Sequence, residues 1–272
     1  MSLYTVLGGK GFIGKEIVSL LLKNNMEVFV PERGDDLYSK NLGIVIYCIG
    51  AGDCVNKPFD VLESNTTLLS NILKNSKFDK IVYISSTRLY MNNNSSGEND
   101  DLLISNNDPR KLFNLTKMAG EDLCLKSKRD AIIVRPSNVY GLALNSPLFL
   151  PKITRDAIEK KVVNMFVSQE YEKDYVSVND VSQSILELSQ MKEAVGEIFN
   201  IASGYNTSAL SISNILEEKT GCEIKWNTPY PLKEIFPVTE ISKLGNILKS
   251  YKPRSVLEDL AIMIDEFKSE IS

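Results

Sequence analysis

The chain of 272 residues contains no histidine. That absence excludes Ser-His-Asp and Cys-His catalysis, HExxH sites and most zinc centres, and it leaves acid/base work to Tyr, Lys, Cys, Asp, Glu or a cofactor. No metal is expected. Cysteine is scarce: Cys48, Cys54, Cys124 and Cys222 form no CxxC pair, and a core of this size needs no disulfide, so all four are expected as free thiols. No apolar stretch is long enough to span a bilayer. The opening MSLYTVLGGKGFIG runs straight into a strand pattern, with neither a basic n-region nor a cleavage site. A cytoplasmic protein with no membrane partner is expected. Basic runs are missing as well: 31 Lys and Arg are scattered among 35 Asp and Glu, for a net charge of −4. Nucleic acid is therefore not expected as a partner.

With 43% hydrophobic and 24% charged residues, the chain can bury the core of one large α/β domain or two small ones. Short β-branched or apolar runs alternate with stretches of helical period. YTVLG is followed by KEIVSLLLKNN, then come EVFV, GIVIYCIG with DVLESNTTLLSNILKN, KIVYISS with KLFNLTKMAGEDLCLKSK, and AIIVRP. This order predicts the α/β class, with a Rossmann-type doubly wound parallel sheet. Residues 1–141 read as the dinucleotide-binding domain. After NVYG the pattern loosens, and residues 142–272 read mainly as a smaller C-terminal α/β substrate lobe, with some segments returning to the Rossmann sheet. The polar, Asn-rich stretch 91–108 reads as a surface loop or flap.

LGGKGFIG places Gly8, Gly11 and Gly14 between a strand and a helix. Glycines there let the backbone turn tightly and approach a pyrophosphate, while the helix N-terminus offers oriented N–H groups. Lys10, Phe12 and Ile13 belong to the same candidate cofactor loop. A ribose-binding acid is expected at the end of the second strand, where VFVPER offers Glu32 followed by Arg33. Glu32 favours NAD, whereas Arg33 with Lys10 favours the 2′-phosphate of NADP. The cofactor is NAD or NADP, and these charges lean toward NADP.

Seven stretches in order resemble motifs of the extended short-chain dehydrogenase/reductases, in the NAD-dependent epimerase/dehydratase group that acts on sugar nucleotides. They are LGGKGFIG, ESNTTLL, VYISSTRLY, FNLTKMAGE, VRPSNVYG, KDYVSVNDV and EIFNIAS. The resemblance implies that Ser86 hydrogen-bonds the reacting oxygen, that Asn65 is a structural and proton-relay residue, and that Lys117 binds the nicotinamide ribose. It implies substrate contacts for Ser86, Thr87 and Asn138, and for Lys173 in place of an arginine, with loss of the bidentate fork. A homodimer paired through the helices carrying Asn65 and Lys117 is also implied.

One residue breaks the pattern: Phe113 stands where the family carries its acid/base tyrosine. Three readings stay open: an introduced Tyr→Phe substitution, a proton carried by Tyr90, Cys54, Lys117 or the substrate, or a dinucleotide-binding sensor or scaffold that has shed catalysis. The family's dehydratases carry an acidic pair after the catalytic Ser/Thr; here Thr87 and Arg88 follow Ser86, which disfavours dehydration. The expected reaction is 4-keto-reduction or 4-epimerisation of a nucleotide-linked hexose. The short segment between Asn138 and Lys173 and the NADP lean tilt it toward reduction.

Overall fold

The structure, a computed structural model, describes residues 2–144, 146, 148–227 and 234–271. The apolar runs of the first half form strands β1 (Leu3–Leu7), β2 (Glu27–Phe29), β3 (Ile44–Tyr47), β4 (Lys80–Ile84) and β5 (Ala131–Pro136). Strands β6 (Asn138–Tyr140), β7 (Val162–Met165) and β8 (Glu172–Ser177) follow, then β9 (Ile198–Ile201), β10 (Asn206–Ser208) and β11 (Glu223–Trp226). The main sheet is parallel throughout, in the order β2-β1-β3-β4-β5-β9. Smaller sheets pair β10-β8-β6 and β11-β7. The sheet is the Rossmann-type one expected, with β9 supplied by the second half of the chain.

The helices are α1 (Phe12–Lys23), α2 (Pro58–Leu62), α3 (Leu68–Asn75), α4 (Lys111–Lys126) and α5 (Phe149–Arg155), then α6 (Val178–Gln190), α7 (Ala209–Thr220), α8 (Ser242–Ile247) and α9 (Val256–Ile271). Period-two alternation sends the side chains of β4 and β5 to two separate cores. Val82, Ile84, Ile132 and Val134 join one face with Ile17 of α1 and Ile185 of α6, whereas Ile81, Tyr83 and Ile133 join the other with Ile72 of α3 and Cys124 of α4. A third core, including Leu150, Val163, Leu216 and Phe267, holds α5, β7, α7 and α9 together.

The crossover from β2 to β3, residues 30–43, contains no helix, so β2 remains a short edge strand. Among the described residues no helix is long and apolar enough to cross a membrane. No cluster of His, Cys, Asp or Glu there could hold a metal ion.

Candidate functional site

The glycine loop folds as its sequence demands. Gly8 has φ +82°, in the region glycine tolerates, and a Cβ on Gly14 would lie 2.2 Å from the Gly8 carbonyl oxygen, so α1 can start against the loop only with glycine at that place. Gly11, Phe12, Ile13 and Gly14 form one wall of a cleft of about 410 Å³. Ser86, Thr87, Asn138 and Lys173 line the same cleft. These residues from four separate stretches of sequence thus meet in one cavity at the C-terminal ends of β1, β4 and β5, where doubly wound sheets bind ligands. A larger cavity of about 1030 Å³ opens behind Phe12, bordered by Lys10, Tyr140 and Arg254, and neither Ser86 nor Lys173 reaches it.

Ser86 lies two residues beyond β4 and caps the following turn, accepting a hydrogen bond from the Arg88 N–H at 3.1 Å. Accepting there leaves its own proton available to be donated into the cleft. Asn138 donates its amide to the Asp174 carbonyl at 2.7 Å. Lys173 ion-pairs with Glu234 at 3.7 Å, and burial lowers its pKa.

Phe113 and Lys117 lie one helical turn apart on α4 and both are buried. Lys117 Nζ donates to the Ile84 carbonyl at 2.8 Å and lies 5.9 Å from the centre of the Phe113 ring. Burial pulls its pKa down to about 8, against a weaker opposing pull from Glu121. Asn65 sits in a single π-turn, Glu63–Thr67, that interrupts the helix between α2 and α3. Fully buried, it accepts from the Ala51 N–H, donates to the Ala51 carbonyl and donates to Thr116 Oγ1 at 3.0 Å. It clamps the loop after β3 to α4.

Of the expected proton carriers, Tyr90 is engaged elsewhere. Tyr90 is buried, accepting from Arg135 Nη1 at 2.6 Å and donating to Asn200 Oδ1 at 2.9 Å, away from the cleft, and burial pushes its hydroxyl up to about 12. Cys54 belongs to the loop whose Gly52 abuts Arg110 and Phe113, and Cys48, to which the sequence assigns nothing, lines the cleft, where burial pushes its thiol up to about 12 as well.

The ribose end differs from its reading too. Lys10 pairs with Glu32, and both side chains are about two-thirds exposed or more, at 72% and 70%. Arg33 is exposed beyond them, next to Asp35, whose carboxylate accepts from the Glu32 N–H at 2.8 Å.

Sequence reasoning passed over three contributors to the cleft: Arg88, Arg110 and Phe236. Arg88 was visible only as a neighbour of Thr87. Arg110 precedes Phe113 by one helical turn, a spacing that would have placed it beside the ring. Phe236 had no local signal.

A family model for the NAD dependent epimerase/dehydratase family matches residues 4–202. A GDP-6-deoxy-D-talose 4-dehydrogenase from Aggregatibacter actinomycetemcomitans is 28% identical over 94% of this chain and 95% of its own. A GDP-L-fucose synthase from Sinorhizobium fredii is 22% identical over 98% and 96%. The solved structure of UDP-glucuronic acid 4-epimerase from Bacillus cereus, in complex with UDP-glucuronic acid and NAD, shares the fold. Its TM-score is 0.82 over 98% of this chain and 99% of that one, at 20% identity.

Proposed function

The chain belongs to the NAD-dependent epimerase/dehydratase family, and from that premise we propose that it is an oxidoreductase acting at C4 of a nucleotide-linked hexose, as a 4-keto-reductase or 4-epimerase. The observation that carries this reading is the single cleft in which the glycine loop faces Ser86, Thr87, Asn138 and Lys173. The bare loop against the start of α1 fits a dinucleotide, since a side chain on Gly14 would fill the turn. When bound, the nicotinamide supplies hydride transfer to or from C4. The relative named as a sugar 4-dehydrogenase, matched over nearly the whole chain, supports oxidation or reduction at C4.

In this mechanism Ser86 donates its free hydroxyl proton to the C4 oxygen and holds it. Asn138 and Lys173 hold the diphosphate, and Lys117, with its amine 5.9 Å from the centre of the Phe113 ring and its pKa lowered by burial, holds the nicotinamide ribose. With Phe113 apolar, Lys117 is the residue that relays the proton of the C4 hydroxyl. Residues 1–141 carry the cofactor together with Ser86, Thr87 and Asn138, and residues 142–272 close the substrate side of the cleft with Lys173 and Phe236. For the cofactor, the balance shifts from NADP: Glu32 pairs with Lys10, and the Asp35 carboxylate sits on the Glu32 N–H, so the cations that would attract a 2′-phosphate have carboxylates beside them, which favours NAD. We also infer a homodimer.

A dinucleotide sensor is the second reading, favoured by the missing phenol alone. The two separate when this chain and Phe113→Tyr are given NAD(H) or NADP(H) with a panel of nucleotide-linked hexoses and 4-keto-hexoses, with sugars followed by NMR. A positioned acid/base contributes about 10² to 10⁴ in rate, so the tyrosine should raise turnover by that factor. If neither protein turns over any sugar while both bind dinucleotide, the enzyme reading fails and the sensor reading replaces it.

A further inference from the structure

The sugar end of the cleft holds more positive charge than the reaction needs. Arg88, Arg110 and Lys173 all line it. Two carboxylates lie among them, and both are filled. Asp108 accepts from Arg88 Nη2 at 2.9 Å, from Asn114 Nδ2 at 2.8 Å and from the Arg110 backbone N–H at 2.8 Å. Glu234 accepts from Arg88 Nη2 at 3.2 Å and from the Tyr171 hydroxyl at 2.9 Å, and it ion-pairs with Lys173.

Arg110 is left over. Its guanidinium makes no hydrogen bond among the described residues, and its Nε is buried without a partner, as is that of Arg88. It is nevertheless fixed in place. Its guanidinium carbon lies 4.6 Å from the centre of the Phe113 ring, and a Cβ on Gly52 would come within 3.0 Å of its Nη2, so ring and loop hold it from two sides. Burial and then the nearby Arg88 lower its pKa, against a weaker opposing pull from Cys54, Glu234 and Asp108, so its charge is held at a net cost that a bound anion would relieve. A planar five-donor fork, immobilised and unsatisfied, is the arrangement that takes a carboxylate in bidentate fashion.

Resting on the sugar-nucleotide reading above, we propose that the hexose is acidic: Arg110, stacked on Phe113 and flanked by Arg88, receives a carboxylate borne by the sugar. The substrate class is then a nucleotide-linked uronic acid. The apolar ring at position 113 becomes the platform that aims the fork, and Lys173, stacked on Phe236 and paired with Glu234, remains for the diphosphate.

The test is calorimetric binding to the NAD-loaded protein of matched pairs, UDP-glucuronate against UDP-glucose and GDP-mannuronate against GDP-mannose. The acidic member should bind at least tenfold more tightly in one pair, and Arg110→Gln should bring that ratio to within twofold of one, with Arg110→Lys in between. Equal or tighter binding of the neutral member in both pairs overturns the acidic-sugar inference and leaves the sugar-nucleotide reading standing. Failure of all four to bind, with NAD still held, overturns both. An acid preference that survives Arg110→Gln overturns the assignment to Arg110.

Discussion

A lysine held in the interior without a carboxylate partner destabilises the folded chain whenever it is charged, and Lys117 is such a residue. Among the described residues its one hydrogen bond is to the Ile84 carbonyl, and its pKa falls from 10.5 to about 8 because burial disfavours the ammonium. That lowering corresponds to about 3 kcal/mol. The sign follows from proton counting. Below pH 8 the native and unfolded chains both carry the proton and the cost is complete. Between about 8 and 10.5 only the unfolded chain binds it, so stability rises with pH across that window. Lys117→Met should therefore raise the thermal midpoint at pH 7 by about 3–6 °C, once about 1 kcal/mol for the lost hydrogen bond is deducted. Turnover in the Phe113→Tyr background should fall at the same time. A lower midpoint for Lys117→Met at pH 7 would show that the carbonyl contact outweighs the buried charge.

The elements around the site are tied by a buried polar network that the motifs contain without revealing. Arg135 of β5 donates from Nε and Nη2 to both oxygens of Glu121 on α4, at 2.8 and 2.6 Å. Its Nη1 donates to the Tyr90 hydroxyl, which donates to Asn200 of β9. Asn200 in turn donates its backbone N–H to Glu98 and its side-chain amide to the Ser96 and Glu240 carbonyls. The network thus joins α4, β5, β9, the turn after Ser86 and the loop 91–108. Removing one partner of a buried pair leaves an uncompensated charge, so Glu121→Ala should cost about 3–5 kcal/mol in urea unfolding, and Glu121→Gln less, because it keeps an acceptor. A loss below about 1 kcal/mol would show that Arg135 finds water or another partner. In the sequence, Glu121, Arg135, Tyr90 and Asn200 are letters of four separate motifs; that they touch is a property of the sheet order, which brings residues 110 positions apart within hydrogen-bond reach. The glycine loop, Ser86, Asn138 and Lys173 were legible because their places are fixed by local strand ends. Arg110, Glu234 and Phe236 were not, since their proximity exists only after the second half of the chain folds back over the first.

At the scale of the whole molecule, one face is left with apolar side chains in water. Val55 and Phe59 are 76% and 84% exposed, and Leu62, Leu115 and Leu123 continue the same face along α2 and α4, which pack side by side. Leu115 and Leu123 are two turns apart on α4, and Phe59 and Leu62 lie at helical spacing on α2, so the residues form stripes rather than scattered exposures. Asn65 and Lys117 lie on the inward sides of the same helical layer, buried against the sheet. A second copy of this chain is the partner expected there. Two such stripes facing one another around a twofold axis would bury their leucines and Phe59 against their own equivalents, and a stable interface needs about 1,200–2,000 Å² in all. The chain should sediment as a dimer at micromolar concentration, and Phe59→Glu with Leu115→Glu should convert it to monomer while leaving the far-ultraviolet dichroism unchanged. A wild-type protein that sediments as a monomer at tens of micromolar would remove the dimer and leave this face to some other partner. If the dimer forms, the double variant should also loosen the loop after β3, because Asn65 holds that loop from the helical layer the partner would cover. The loss would read as weaker dinucleotide affinity in the monomer than in the dimer.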